Sequence, residues 1–292
     1  MVIYHNKPGW IRTRAPGGEE WKKVSTIIAK RDLHTVCDEA HCPNKGECWS
    51  MGTATFMILG NVCTRYCRFC AVDTAKNGRP VRQEEAFELA QAVKELSLDY
   101  VVLTSVDRDD LSDRGAAHFA RCIGAIRKIN SACKVEVLIP DYFGDELLTI
   151  IKEAPDTIAH NVETVLPLQG KIRDSRASFE KSLRTLSEVK SACPEISTKS
   201  SLLLGMGEKE RDILTAMDSL RSVSVDILIM GQYLQPTKKQ LPVQEYINPD
   251  TFDRLKTIAL EKGFGAVVSS PLARTSYLAK HAFKSNLVHN TA

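Results

Sequence analysis

The stretch Ala54-Thr55-Phe56-Met57-Ile58-Leu59-Gly60-Asn61-Val62-Cys63 decides the fold, because a short apolar strand pattern over Thr55–Leu59 runs directly into a cysteine motif. From this point onward, short β-branched runs alternate with longer amphipathic stretches, the pattern of βα units around a parallel sheet. The predicted strands are Thr55–Leu59, Tyr100–Thr104, Lys134–Ile139, Thr157–Asn161, Thr198–Leu204, Asp226–Met230 and Ala266–Ser269. Apolar residues at three- and four-residue spacing predict helices over Arg82–Glu95, Ala116–Ile129, Phe179–Cys193, Glu208–Arg221 and Pro249–Lys262, the last started by Asn248-Pro249. Strand and helix alternate about six times, and no GxGxxG loop follows the first strand. The expectation is an α/β fold, a partial (βα)6 TIM-like barrel with N- and C-terminal extensions, rather than a doubly wound dinucleotide fold. The division is residues 1–53 as a loop-rich, cysteine-dense extension, 54–265 as the barrel and 266–292 as the C-terminal extension.

Composition narrows the class. At 292 residues with 43% apolar and 26% charged residues, the chain can bury a full core as one large domain. A net charge of +3, spread along the chain, is too mild to argue for nucleic acid or an anionic membrane surface, and neither is expected as a partner. No window approaches the ~20 apolar residues of a membrane span, and residues 1–14 lack an apolar signal core. Six of the nine cysteines crowd into Cys37–Cys70, a spacing that suits metal ligation better than a disulfide framework. A cytoplasmic, reducing location is expected.

Cys63, Cys67 and Cys70 form CxxxCxxC at the predicted C-terminal end of the first strand, where barrels build their active sites. Three thiolates on one short loop suit three irons of a [4Fe–4S] cluster and leave a fourth iron open. A structural zinc site and a ferredoxin-type cluster are the plainer alternatives. Zinc more often takes four protein ligands in Cys-x-x-Cys pairs, and the ferredoxin run ends in a Cys-Pro that is missing here. The spacing, with Phe69 before the last cysteine, resembles the signature of the radical S-adenosylmethionine (SAM) superfamily. That resemblance implies an open iron that chelates SAM and cleaves it reductively to a 5′-deoxyadenosyl radical.

A second triplet, Cys37, Cys42 and Cys48, gives CxxxxCxxxxxC, a spacing that fits no common zinc finger. Both motifs in this order, preceded by Lys7-Pro8-Gly9-Trp10, closely resemble the lipoyl synthase family. The likeness continues through Thr104-Ser105-Val106-Asp107-Arg108-Asp109-Asp110-Leu111, His160-Asn161-Val162-Glu163-Thr164, Gly231-Gln232-Tyr233-Leu234-Gln235-Pro236 and Arg274-Thr275-Ser276-Tyr277. Departures are Thr275 where serine is usual, and Ser201 and Met206 where glycine and leucine are usual.

The resemblance implies a radical SAM sulfurtransferase of lipoate biosynthesis. It would insert sulfur at C6 and C8 of a protein-bound octanoyl-lysine, drawing the sulfur from an auxiliary [4Fe–4S] cluster on Cys37, Cys42 and Cys48. It implies two [4Fe–4S] clusters and SAM as cofactors, with Ser276 as fourth ligand to the second cluster and the C-terminal extension closing that site. Octanoylated lipoyl-carrier domains (2-oxoacid dehydrogenase E2 or glycine cleavage H protein) are the implied partners, with reduced ferredoxin or flavodoxin as electron donor. Unactivated alkyl C–H bonds offer no acidic proton to a general base, which is why a radical is needed. A biotin-synthase-like sulfur inserter or a methylthiotransferase is the enzymatic alternative, and an electron carrier the non-catalytic one.

Further candidates come from position. Asn161 and Glu163, at the end of the fourth strand, face the barrel mouth, where polar residues either contact cofactor or only meet solvent. Lys199, an ammonium within a strand, needs a partner and is expected to pair with the SAM carboxylate. Gly205, in Gly205-Met206-Gly207-Glu208, resembles part of the superfamily's second cofactor-binding region, and Gln232 lies just beyond the sixth strand, with Tyr233 beside it. Arg65 and Arg68 bracket Cys67 and are expected to favour a more reduced cluster. Cys122, Cys133 and Cys193 read as small buried hydrophobes, and His41 is assigned no role.

Overall fold

The computed structural model describes residues 7–291. An N-terminal segment supplies helix α1 (Glu19–Lys30), strand β1 (His34–Thr35) and the short helices α2 (Val36–Glu39) and α3 (Lys45–Ser50). Strand β2 (Thr55–Ile58) follows, then two short strands, β3 (Val62–Cys63) and β4 (Asp73–Thr74), which bracket the first cysteine motif. The chain then alternates: α4 (Glu85–Glu95), β5 (Tyr100–Ser105), α5 (Ala116–Ile129), β6 (Lys134–Leu138), α6 (Gly144–Ile151) and β7 (Thr157–Ala159). It continues through α7 (Gln169–Ile172), α8 (Phe179–Ala192), β8 (Ser197–Leu204), α9 (Glu210–Ser222), β9 (Ile227–Gln232), α10 (Pro249–Glu261), β10 (Ala266–Ser270) and α11 (Ala279–Thr291).

Strands β2, β5, β6, β7, β8, β9 and β10 lie side by side in that order, every pair parallel. Strand β1 adds antiparallel to the free edge of β2. Among the described residues nothing pairs β1 with β10, so the barrel is open, as expected for a partial barrel. The sheet includes β10, so the barrel runs through Ser270 and the C-terminal extension begins after it rather than at residue 266. Helix α6 leaves little trace in the sequence pattern: it has eight residues, opens on Gly144 and carries its apolar residues almost in one run.

Strand alternation sorts the core into two faces. Leu202, Leu204, Leu228 and Met230 point outward onto Ile213, Met217 and Leu220 of α9 and Phe252 and Leu255 of α10. Val101, Leu103, Val135 and Val137 do the same against α4 and α5. Each such buried side chain contributes about 1.5–3 kcal/mol of apolar transfer. Helix caps fix where the outer helices start: Asn248 accepts from the Asp250 N–H ahead of Pro249, and Ser178 accepts from the Lys181 N–H.

The inward face is filled from below by α11. Its Ala279 and Phe283 pack on Tyr100 and Val102, with the Tyr100 and Phe283 rings 5.6 Å apart. Ala282 meets Ile227 and Ile229, and the buried Asn286 donates to the Ser197 Oγ at 3.2 Å. These partners stand at the N-terminal ends of their strands, so α11 plugs the lower barrel and leaves the upper barrel for a cavity. Just above the plug, Lys199 Nζ lies 2.6 Å from Glu136 Oε1, both side chains fully buried. Tyr100 donates to the other Glu136 oxygen at 2.7 Å. Among the described residues no helix is long and apolar enough to cross a membrane.

Candidate active site

A cavity of about 650 Å³ opens at the C-terminal ends of the strands. Cys63, Cys67 and Cys70 line it. Their loop is pinned from several sides: the Thr64 N–H donates to the Asp107 carbonyl, the Arg68 N–H to the Ile172 carbonyl, and the Leu241 N–H to the Arg68 carbonyl. Asp174 accepts from the Tyr66 N–H at 2.8 Å, and Gln240 Nε2 donates to the Cys70 carbonyl at 3.1 Å. Backbone N–H groups of Arg65 and Asp174 point at the Cys63 and Cys67 sulfurs, each at 3.4 Å. The sulfurs are thus presented inward by a rigid loop.

Arg65 does not act as the free positive charge expected beside Cys67. It is buried, donates two bonds of 2.9 Å to Asp109, and lies 2.7 Å from Asp141 and 3.4 Å from Asp107. Burial works against its charge, yet these carboxylates raise its pKa overall. Arg65 is a strut tying the loop to the ends of β5 and β6, with more carboxylate than guanidinium around it. Arg68 is exposed and donates to the Lys171 carbonyl at 3.1 Å.

The second triplet is assembled by the N-terminal extension. Thr35 accepts from the Asp38 N–H and so starts α2, which carries Cys37; Cys48 sits in α3; and the Cys42 N–H donates to the Cys37 carbonyl between them. The three thiols stand close enough that, after burial, their mutual proximity is the next cause raising Cys48. The loop is tied to the chain's other end: buried Asn44 donates to the Leu272 carbonyl at 2.7 Å, and Tyr277 Oη donates to Glu47 at 3.3 Å. Cys42, Arg274, Thr275 and Ser276 therefore face the same cavity as the first triplet, while Cys37 and Cys48 lie behind Cys42 and do not line it. Thr275 is engaged with Asn161, which donates to its Oγ1 at 2.9 Å.

Burial pushes the Cys63, Cys67 and Cys48 thiols up to about 12 and those of Cys70 and Cys37 to about 11. Such thiols lose their protons to a bound metal rather than to water at neutral pH, the behaviour of ligands whose metal completes the site. Among the described residues no three His, Cys, Asp or Glu side chains converge on a point as one ion requires. The ligands of an iron–sulfur cluster stand on separate irons and need no such convergence.

Asn161 and Glu163 line the cavity as expected, joined by a 2.9 Å bond. Glu163 holds a positive φ of 63°, and burial raises its carboxyl pKa. Lys199, Gly205 and Gln232, expected to contact cofactor, do not line it. Lys199 lies a layer lower, committed to Glu136. Gln232 is fully buried, donating to the Leu204, Tyr233 and Glu245 carbonyls and accepting from the Ile247 N–H. Gly205 makes room for that latch: a Cβ there would stand 2.2 Å from Gln232 Nε2 and 2.3 Å from the Glu245 carbonyl.

A cation that does line the cavity, beside Arg65, Arg274 and Lys7, is Arg173, absent from the sequence reading. It is 9% exposed, its Nη1 donates to Ser182 Oγ at 2.9 Å and to Gln169 Oε1 at 3.2 Å, and its Nε has no protein partner. His160 braces it through Ser182. Burial, then Arg173, lowers His160 to about 4, so its neutral ring donates from Nδ1 to the Ile139 carbonyl and accepts the Ser182 O–H at Nε2. Asp107 also lines the cavity, 3.9 Å from the Cys63 sulfur. The strap of residues 7–18 contributes Lys7, Ile11 and Thr13.

Comparison with known proteins places this geometry. The family model of the Radical SAM superfamily matches residues 57–220. A lipoyl synthase from Ectopseudomonas mendocina (strain ymp) is 48% identical over 286 residues, covering 97% of this chain and 82% of that protein. One from Halorhodospira halophila (strain DSM 244 / SL1) is 48% identical over 289 residues, covering 98% and 86%. Among solved structures, the FeFe-hydrogenase maturase HydG from Carboxydothermus hydrogenoformans superposes with a TM-score of 0.60 at 13% identity, over 90% of this chain and 68% of that one, a likeness of fold.

Proposed function

Because the chain belongs to the lipoyl synthase family of radical SAM enzymes, we propose that the cavity at the strand ends is where SAM cleavage and sulfur transfer to an octanoyl chain meet. The protein is a radical SAM enzyme of lipoyl sulfur insertion, using SAM and a [4Fe–4S] cluster. The observation that carries the finer reading is that CxxxCxxC, Cys42 and the Arg274–Ser276 segment face a single chamber. When bound, a cluster on Cys63, Cys67 and Cys70 supplies the electron and open iron for SAM cleavage, and a second on Cys37, Cys42 and Cys48 supplies the sulfur.

The chain's own residues bind, orient and exclude water. Arg173 lines the cavity and suits the SAM carboxylate, the role expected of Lys199. Asn161 and Glu163 offer polar atoms to the rest of the cofactor. The apolar walls from Val106, Leu138 and Ile139 keep the alkyl chain out of water. Carriers of the E2 or H-protein type, and reduction by ferredoxin or flavodoxin, complete the proposal.

Arg173→Gln is expected to raise KM for SAM about tenfold to a hundredfold, the loss of one charge-assisted bond, with a smaller change in kcat. Steady-state 5′-deoxyadenosine formation checks it; an unchanged KM removes Arg173 from the cofactor site. Ser276 lines the cavity beside Thr275, whose hydroxyl is taken by Asn161, and this supports Ser276 as the hydroxyl left for the second cluster. Ser276→Ala should leave 5′-deoxyadenosine formation within about twofold and lower doubly thiolated product at least about tenfold. Normal lipoyl formation by this variant would rule the ligand out. The reading as a whole is tested with anaerobically reconstituted protein, SAM and an octanoyl-lysine peptide, measuring 5′-deoxyadenosine and thiolated peptide together.

A further inference from the structure

We propose that the outward face of the N-terminal strap, made by Trp10, Arg12 and Arg14, docks the protein that delivers the acyl chain, and that this protein presents an acidic surface. The proposal rests on the sulfur-insertion reading above. Ile11 and Thr13 line the cavity, whereas Trp10, 46% exposed, and the exposed Arg12 and Arg14 do not line it and are open to solvent. One short segment therefore has an inner face that meets the substrate chain and an outer face at the same mouth.

The strap is held in place. Arg12 Nε donates to the Gly9 carbonyl at 2.8 Å, and Ser50 Oγ to the Gly17 carbonyl at 2.9 Å. The Arg14 carbonyl passes so close to α3 that a Cβ on Gly46 would stand 2.3 Å from it. Residues 7–18 contain Lys7, Arg12 and Arg14 and no carboxylate, and among the described residues Arg12 and Arg14 take part in no ion pair.

An acyl chain attached to a lysine of a folded domain enters a cavity only while the body of that domain stands at the mouth. Its surface then meets whatever the rim turns outward. An exposed tryptophan with arginines two and four residues beyond it has the composition enriched where binding energy concentrates at interfaces, and unpaired cations steer an acidic partner by long-range attraction.

The test compares two substrates on the reconstituted holoenzyme: an octanoylated lipoyl-carrier domain with an acidic surface, and a short peptide carrying one octanoyl-lysine. The variant W10A/R12E/R14E is expected to raise KM for the carrier, and the dissociation constant measured by calorimetry, at least about tenfold. With the peptide its kinetics should match the wild type, and the milder R12Q/R14Q should give an intermediate loss on the carrier alone. For the wild type, added salt should raise KM for the carrier and leave that for the peptide. Unchanged carrier kinetics in W10A/R12E/R14E would overturn the proposal, as would equal losses on both substrates, which would make the strap a wall of the cavity only. Loss of binding to anionic vesicles with carrier kinetics intact would overturn it in favour of a lipid surface. A wild type that thiolates neither substrate would instead sink the reading of sulfur insertion.

Discussion

Replacing Cys63, Cys67 and Cys70 together by alanine is expected to reduce 5′-deoxyadenosine formation to background, whereas replacing Cys37, Cys42 and Cys48 should spare it and abolish sulfur insertion. The division follows from placement. The first triplet sits on a loop pinned by the segments that follow β5, β7 and β9, and it shares the cavity with Arg173, Asn161 and Glu163. The second is built from α2, α3 and the turn between them, and depends on the C-terminal segment instead. Removing either leaves the other's supports in place. Iron and sulfide analysis should find about eight of each in the wild type and about four of each in either variant, counting one four-iron cluster per triplet. Equal loss of cleavage by both variants, in protein with wild-type circular dichroism, would show that the sites do not divide the work in this way.

The second large effect concerns stability. Lys199→Met is expected to destabilise the fold by about 3–5 kcal/mol, because it strands the Glu136 carboxylate in an interior from which water is excluded. Both side chains are fully buried, and among the described residues the other hydrogen-bond partner of Glu136 is the Tyr100 hydroxyl. Lys199→Met combined with Glu136→Gln should recover most of the loss, since glutamine keeps a carbonyl for Tyr100 without a charge. Equilibrium denaturation of the three proteins measures this. KM for SAM in the single variant separates the ion pair from the role expected of Lys199 in the sequence: a raised KM with intact stability would restore Lys199 to the cofactor site.

That reversal shows what the sequence makes legible and where it stops. The cysteine motifs could be read because their spacing alone fixes a short loop, and Asn161 and Glu163 because a strand end is a local signal. Lys199 and Ser201 have the same alternation and point into the same barrel, but only Ser201 stands at the height of the cavity. Height is set by register against the neighbouring strands and by the plug below, both products of contacts far apart in the chain. Gln232 was placed at the right strand end, but its amide turns to the 244–247 loop, a choice made by Gly205 and the backbone it admits. Arg173 belongs to an irregular connection after α7, where no periodicity marks a functional side chain. The order of βα units was readable throughout, apart from α6 and the allocation of β10 to the barrel.

The two cysteine sites also differ in how much of the chain must hold its native form for each to exist. The first has its three cysteines on one short loop, braced by bonds from the segments that follow β5, β7 and β9. The second requires the hydrogen bonds Asn44–Leu272 and Tyr277–Glu47, between residues 228 and 230 positions apart. Bringing such distant segments together carries a large loop-closure entropy, offset only once the intervening sheet has formed. Partial opening at either end of the chain therefore dismantles the second site while the sheet and the first remain whole, and the opening free energy that protects it is that of its terminal segments, lower than that of the global fold.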